Sequence, residues 1–222
     1  MGLNGLGLIF DMDGVLIDST PTHTEAWLLY LKRHGIEIPE IEARMLGKRN
    51  DAIVRDFFRD VPLTDEQVLE HGARKEQLYR DLMGPKIDFH MVPGVIQFLK
   101  GHQDSPIGLA TNGELANVNL VLYGTNIHQY FRAVVSGQEV LLPKPHPDIY
   151  LKVADLLGIS PRNCVVFEDS LTGIEAARAA GMRVAGLTTT LSKLPGVDLS
   201  VADFLDTGLE PWLQSIACSA AV

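Results

Sequence analysis

Asp11 and Asp13 stand two residues apart where a short apolar run, Leu8, Ile9 and Phe10, comes to an end. The whole stretch reads LIFDMDGVLIDST from Leu8 to Thr20. Residues two apart in a strand point the same way, so the two carboxylates can converge at a strand end. Gly14 lets the chain turn sharply there. Carboxylates that close repel each other unless they share a proton or a cation. An Asp-rich turn after a strand is also ordinary turn chemistry, so the decision rests on partners further along the chain.

Partners of matching chemistry do follow. Thr111, Asn112 and Gly113 close a second apolar run, Ile107 to Ala110. Their side chains and the amides of the turn can donate to phosphate oxygens, or can cap the next helix. Lys144 lies in LLPKPHPDIY, between two prolines that stiffen the backbone and leave the amine less entropy to lose. A fixed ammonium beside carboxylates orients a nucleophile and offsets phosphoryl charge; His146 reads as a loop residue. Glu168 and Asp169 follow VVF and precede Ser170, Thr172 and Gly173. Acids at a helix start can answer the helix dipole, and they are also the hard oxygen donors that Mg²⁺ requires.

The elements that must position these groups alternate. Apolar runs at Ile107 to Ala110, Ala133 to Val135, Cys164 to Phe167 and Val184 to Leu187 read as strands. Helical patterns cover Val95 to Leu99, Glu114 to Leu122, Pro147 to Leu157 (closed by Gly158) and Gly173 to Ala180. Such alternation implies a parallel sheet with helices on both faces, which binds ligands beyond the carboxyl ends of its strands. From about Ser19 to Phe89 the patterns are helical only, beginning with Thr20 as N-cap and Pro21 as the first helical residue, or with a capping box of Thr22 and Glu25. Gly84-Pro85 and Pro93-Gly94 punctuate the return. An all-helical insert on two linkers results, able to hinge over a substrate. The tail after Ile216, small and apolar, is expected to fray.

The chain has 222 residues, 46% hydrophobic and 21% charged, ordinary for a protein with a sizeable core. A net charge of -9 argues against nucleic-acid and anionic-membrane partners. It would also repel a phosphorylated substrate at long range, so a site for one needs local positive charge or a metal. Cys164 and Cys218 match no metal spacing; Cys164 reads as a small core residue. No signal-peptide layout or bilayer-spanning run is evident, and the expected setting is the cytoplasm, as a monomer or weak homo-oligomer.

The motif DxDG at Asp11 to Gly14 resembles the signature of the haloacid dehalogenase superfamily. KPxPDIY around Lys144 and FEDSxxGIEAAxxAG around Glu168 resemble its third and fourth motifs, and Thr111 occupies the place of the second. The resemblance implies a Mg²⁺-dependent phosphotransferase. Asp11 is then the nucleophile, Asp13 the general acid and base, and Thr111 and Lys144 stabilise the phosphoryl charge. Asp169 is a direct metal ligand, Glu168 a direct or water-mediated one, Asp11 a ligand through its side chain and Asp13 through its carbonyl. Asn112 and Gly113 contact substrate. The implied fold class is α/β: a Rossmann-like doubly wound parallel sheet core, residues 1–18 and 90–222, with an inserted all-helical cap domain, residues 19–89.

Within the superfamily, Ser19, His23 and Lys75 fall at positions resembling the hinge and cap residues of the beta-phosphoglucomutases. His23, Gly47, Arg49 and Lys75 are therefore candidate substrate contacts in the cap. Two departures count against a mutase. Its loop arginine lies three residues after the glycine, where this chain has Asn50, and its second motif is Ser-Ala-Ser, where this chain has Thr-Asn-Gly. A phosphatase of a small phosphorylated metabolite, such as a sugar phosphate, ranks first and the mutase second. A non-catalytic phosphate binder ranks third, since every catalytic position is filled.

Overall fold

The computed structural model describes residues 3 and 5–220. Six strands form one parallel sheet: β1 (Gly7–Phe10), β2 (Ile107–Thr111), β3 (Ala133–Ser136), β4 (Cys164–Glu168), β5 (Arg183–Leu187) and β6 (Leu199–Val201). Their order is β3-β2-β1-β4-β5-β6. From β1 the chain builds outward on one side, then crosses to β4 and builds outward on the other. The crevice where the order reverses lies between β1 and β4, the usual ligand position in such sheets.

Strand alternation sorts the core into two faces. Leu8, Phe10, Leu109, Val165 and Phe167 point to one face, where they meet α5 (Val95–Gly101), α6 (Leu115–Gly124) and α9 (Leu209–Ala220). Ile9, Ala110, Val135 and Val166 point to the other, under α7 (Asp148–Leu157) and α8 (Leu171–Ala179). Helices on both faces explain why the strands read as unbroken apolar runs. Cys164 is a buried free thiol in the second of these layers. Two elements were not foreseen, β6 and α9, and the tail expected to fray is helical through Ala220. Leu213 and Ile216 dock that helix on the sheet, fully or almost fully buried.

Between β1 and α5 lie α1 (Thr20–Arg33), α2 (Ile41–Met45), α3 (Asn50–Phe57) and α4 (Asp65–Met83), followed by a 3-10 stretch, Gly84–His90. They bury an apolar cluster of their own, with Trp27 edge-on to Phe57 at 5.0 Å between ring centres. The helix α4 starts with a capping box between Thr64 and Gln67. The start of α1 differs by one residue from expectation: Ser19, not Thr20, is the N-cap residue, and it gives the helix no side-chain bond. Its hydroxyl goes instead to Asp13. The outgoing and returning segments run side by side, with the Asp18 N–H donating to the His90 carbonyl at 2.7 Å and the Val92 N–H to the Leu16 carbonyl at 3.1 Å. Among the described residues no helix is long and apolar enough to cross a membrane.

Candidate active site

Asp11 follows the last residue of β1, Thr111 ends β2, and Glu168 ends β4. Phe10 pairs in register with Phe167, so Asp11 and Glu168 emerge side by side on the face covered by α7. Lys144 arrives from the loop after β3 and joins them. Its Nζ donates to Asp11 Oδ1 at 2.6 Å and to Glu168 Oε1 at 2.7 Å. It lies 4.8 Å from the centre of the Tyr150 ring. Asn112 holds the lysine's backbone, its Oδ1 accepting the Lys144 N–H at 3.3 Å. Burial disfavours the ammonium, but Asp11 and Glu168 outweigh it and hold Lys144 charged above its ordinary range.

The carboxylates differ in how well they are compensated. Glu168, with no exposed surface, accepts from Lys144 and the Tyr150 hydroxyl on Oε1. Its Oε2 accepts from the Asp169 and Ser170 amides and from Ser170 Oγ. Those donors saturate the carboxylate's lone pairs. Burial raises Glu168, yet Lys144 and these hydrogen bonds bring it below its ordinary range. Among the described residues, the Asp169 carboxylate has only the Thr190 hydroxyl, at short range. Burial, then Glu168 and Asp11, push its carboxyl well above the usual range. Asp11 is raised to about 7, chiefly by burial, with Glu168 and Asp13 adding and Lys144 opposing.

Asp11, Glu168 and Asp169 offer oxygens within 4.8 Å of one another, all buried. This donor set suits a hard divalent cation such as Mg²⁺. The uncompensated charge sits on Asp11 and Asp169, so these have free capacity for a metal; saturated Glu168 fits a water-mediated contact better than a direct one. Two glycines permit the crowding. A Cβ on Gly14, whose φ is +76°, would collide with the Asp169 carboxylate, and one on Gly173 with that of Glu168.

Asp13 lies beside this group. Ser19 Oγ donates to its Oδ1 at 2.5 Å and His23 Nε2 is 3.6 Å away. Burial raises Asp13, but His23, Ser19 and Lys75 together hold it below its ordinary range. The His23 ring stacks on Tyr79 at 3.7 Å, and its Nδ1 is 3.0 Å from Lys75 Nζ. Thr111 Oγ1 accepts the Gly113 N–H at 3.0 Å and so shapes the turn, while α6 takes Glu114 as its N-cap residue.

A cavity of about 120 Å³ opens above these groups, between the sheet edge and the helical insert. Asp11, Asp13, Thr111, Lys144, Glu168 and Asp169 form its floor; Gly113, His23, Gly47 and Lys75 line its sides. Asn112 lines it as well, but its amide also bridges to the Gly47 carbonyl at 3.2 Å. Arg49 is the exception among the expected residues. It is not on this wall; Lys48 and Asn50 are. As the N-cap residue of α3, Arg49 reaches Asp51 at 3.4 Å, which a one-residue change of direction in the loop produces.

Lys75, a candidate substrate contact, lines the cavity but is not a free cation. It is 1% exposed and bonded to Glu76 Oε1 at 2.6 Å, and Glu76 Oε2 accepts from Asn117 at 2.7 Å. Sequence reasoning missed Glu76, Asn117, Glu114, Tyr150 and Thr190. A signal for Glu76 existed: Val68, Gly72, Lys75, Glu76, Tyr79 and Met83 fall on one helical stripe, all buried.

Residues 7–181 match the family model of haloacid dehalogenase-like hydrolases. The fructose-1-phosphate phosphatase YqaB of Escherichia coli K12 is 34% identical over 178 residues, covering 79% of this chain and 93% of that protein. Hexitol phosphatase B of the same strain is 32% identical over 187 residues, covering 80% and 81% respectively. Among solved structures, a HAD hydrolase of family IA, variant 3, from Entamoeba histolytica superposes with a TM-score of 0.85 at 26% identity, over 96% of this chain and 99% of that one.

Proposed function

The chain belongs to the haloacid dehalogenase-like hydrolases, and we propose that it is a Mg²⁺-dependent phosphatase that cleaves a small phosphorylated metabolite, a sugar phosphate or similar, by way of Asp11. The observation that carries this reading is one buried lysine bonded to two carboxylates from different strand ends, with Asp169 beside them and Asp13 next to the cavity. The names of the related phosphatases point the same way.

In the proposed reaction the Asp11 carboxylate attacks phosphorus in line, and the bond from phosphorus to the ester oxygen breaks. Asp13, charged at rest, takes the proton of the phosphomonoester monoanion and passes it to the departing oxygen, forming an alcohol. Asp13 then takes a proton from water, whose oxygen attacks the aspartyl-phosphate and releases phosphate and free Asp11. Lys144 and the amides of the turn after Thr111 offset charge on the equatorial oxygens. Asp11, Glu168, Asp169 and the Asp13 carbonyl would hold Mg²⁺, which would supply positive charge for the phosphoryl oxygens. Glu168 fixes Lys144, and Ser19 with His23 keeps Asp13 aimed at the cavity.

Residues 19–89 serve as a cap and residues 1–18 and 90–222 as the core. Support comes from the insert's separate apolar cluster and from the paired linkers at Asp18 and His90. Closure of such a cap excludes bulk water from the phosphoryl group. A mutase must grip a second phosphate. Arg49 lies off the cavity wall and Asn50 Nδ2 is committed to Glu114 at 3.1 Å, which favours the phosphatase. The test is release of phosphate from para-nitrophenyl phosphate and a panel of sugar phosphates with Mg²⁺. Asp11→Asn should lower turnover roughly a thousandfold or more. Activity retained in that variant, or isomerised product in place of free phosphate, defeats the reading.

A further inference from the structure

Away from the floor, the far wall of the cavity is lined by two carboxylates and two lysines, Lys48 and Lys75, rather than by a basic phosphate pocket. The carboxylates, Glu76 and Glu114, come from the insert and the core respectively. Glu76 is 4% exposed and keeps its charge: burial raises it, but Lys75 and His23 more than compensate. Lys75 is thereby neutralised by its neighbour and offers no net charge to an anion. Glu114 accepts from Asn50 Nδ2 at 3.1 Å and lies 4.0 Å from Arg80. Arg80 is not on the wall, and its guanidinium is already bonded to Asn117 Oδ1 at 2.9 Å.

Unused hydrogen-bonding capacity on this wall is of both kinds. The indole N–H of Trp27 is buried, on a residue with no exposed surface, and has no partner among the described residues. Asn50 Oδ1 is an acceptor in the same condition. Both residues line the cavity. An anion only accepts hydrogen bonds, so a wall built for one presents donors. A hydroxyl donates and accepts at once and suits a mixed wall. Sites built for hydroxyls also discriminate strongly, because a wrong ligand leaves their buried groups unpaired.

Resting on the phosphatase reading above, we propose that Glu76 and Glu114 are specificity-determining residues that select an uncharged, polyhydroxylated leaving group and reject one carrying a second anion. The phosphoryl end is gripped by Lys144 and the metal site. The organic end is met by Glu114, the Lys75–Glu76 pair, Asn50 and Trp27, and a carboxylate or second phosphate there faces Glu114 and finds Lys75 already paired.

The experiment uses full-length protein with Mg²⁺ and matched esters. Sorbitol 6-phosphate and 6-phosphogluconate differ only in a terminal CH₂OH against a carboxylate, as do sn-glycerol 1-phosphate and 3-phospho-D-glycerate. Glucamine 6-phosphate supplies the terminal cation. We expect kcat/KM to favour the polyol over the acid by about 30-fold or more in at least one pair, and over the amine also. Glu76→Gln or Glu114→Gln should narrow the polyol-to-acid ratio about tenfold. Glu114 is partly exposed, so its variant carries the test should Glu76→Gln not fold. Equal use of acid and polyol, a preference for the amine, or an unchanged ratio in every folded variant overturns the proposal. If para-nitrophenyl phosphate and all the esters are left intact, the phosphatase reading has failed. Calorimetric binding of the same esters to Asp11→Asn protein then decides the selectivity on its own: tighter binding of the polyol supports it, and equal or weaker binding overturns it.

Discussion

Mg²⁺ should stabilise this protein far more at alkaline than at acidic pH. Asp11 moves from 3.8 to about 7 on folding, and Asp169 also rises well above its ordinary value. A raised acid favours the fold where it is protonated, below its unfolded value. That stability is lost as pH climbs through the folded value, here from about 4 to beyond 7. For Asp11 alone, which is 7% exposed, the loss is about 4 kcal/mol, taking about 1.4 kcal/mol per tenfold change in the proton equilibrium. The value of about 7 already includes the opposing pull of Lys144. A cation bound to Asp11 and Asp169 replaces the protons and restores what was lost. For a chain of this size each kcal/mol moves Tm by roughly 2–4 °C. Saturating Mg²⁺ near pH 8 should then raise Tm by about 10 °C, and near pH 5, where protons compete for the same oxygens, by less than about half of that. Thermal unfolding by calorimetry or dye binding reads both. Asp169→Asn should make the metal-free protein more stable than wild type near pH 8 and shrink the Mg²⁺ response. A Tm indifferent to Mg²⁺, or an equal shift at the two pH values, refutes the reasoning.

Tyr150→Phe deletes the hydroxyl that Glu168 accepts at 2.7 Å. We expect a loss of about 1–3 kcal/mol in stability and weaker Mg²⁺ activation, read from denaturant melts and metal titration of activity; wild-type values in both would rule out a positioning role. Lys75→Ala strands a buried Glu76 and should cost about 3–5 kcal/mol, of which adding Glu76→Gln recovers more than half. A single-variant loss below about 1 kcal/mol would mean the pair is not buried in solution. Gly173→Ala drives a methyl into the Glu168 carboxylate; it should cost about 1–3 kcal/mol and lower kcat more than it raises KM. Unchanged melting and kinetics would show that α8 can yield there.

Three residues of the cavity floor were legible because each interrupts an apolar run. Asp11, Thr111 and Glu168 mark the points where strands buried on both faces meet the open edge of the sheet. Lys144 was legible from its prolines, not from periodicity. The far wall was not legible to the same reasoning. Composition places Lys75 on a solvated helix face, whereas the spacing of Val68, Tyr79 and Met83 places it inside. Of the two signals the spacing is decisive, because a charged pair can be buried once it is neutral. Arg49 shows the opposite limit: which of three consecutive loop residues faces a cavity depends on one backbone turn, and no sequence period reports that. The strand β6 spans only Leu199–Val201, too short to show alternation. The stripe Leu209, Leu213 and Ile216 of α9 was readable at helical spacing; the small residues after it drew attention from it.

An acidic chain that handles phosphate must solve a charge problem locally, and the structure divides that problem between the two ends of one cavity. At the floor, Asp11, Asp13, Glu168 and Asp169 face a single buried ammonium, so the negative charge there exceeds what the protein itself supplies. That excess suits a floor that holds a divalent cation, and Asp11 and Asp169 are the carboxylates with capacity for it. At the far wall Lys75 is already balanced by Glu76, and Glu114 adds a further negative charge. With a divalent cation held at the floor, as proposed, that end would attract an anion, while at the other end Lys75 is already paired and Glu114 opposes one. A ligand charged at one end and neutral along the rest of its length would satisfy both conditions. The placement of the carboxylates would thus tie the proposed metal dependence to the proposed selectivity of the cavity.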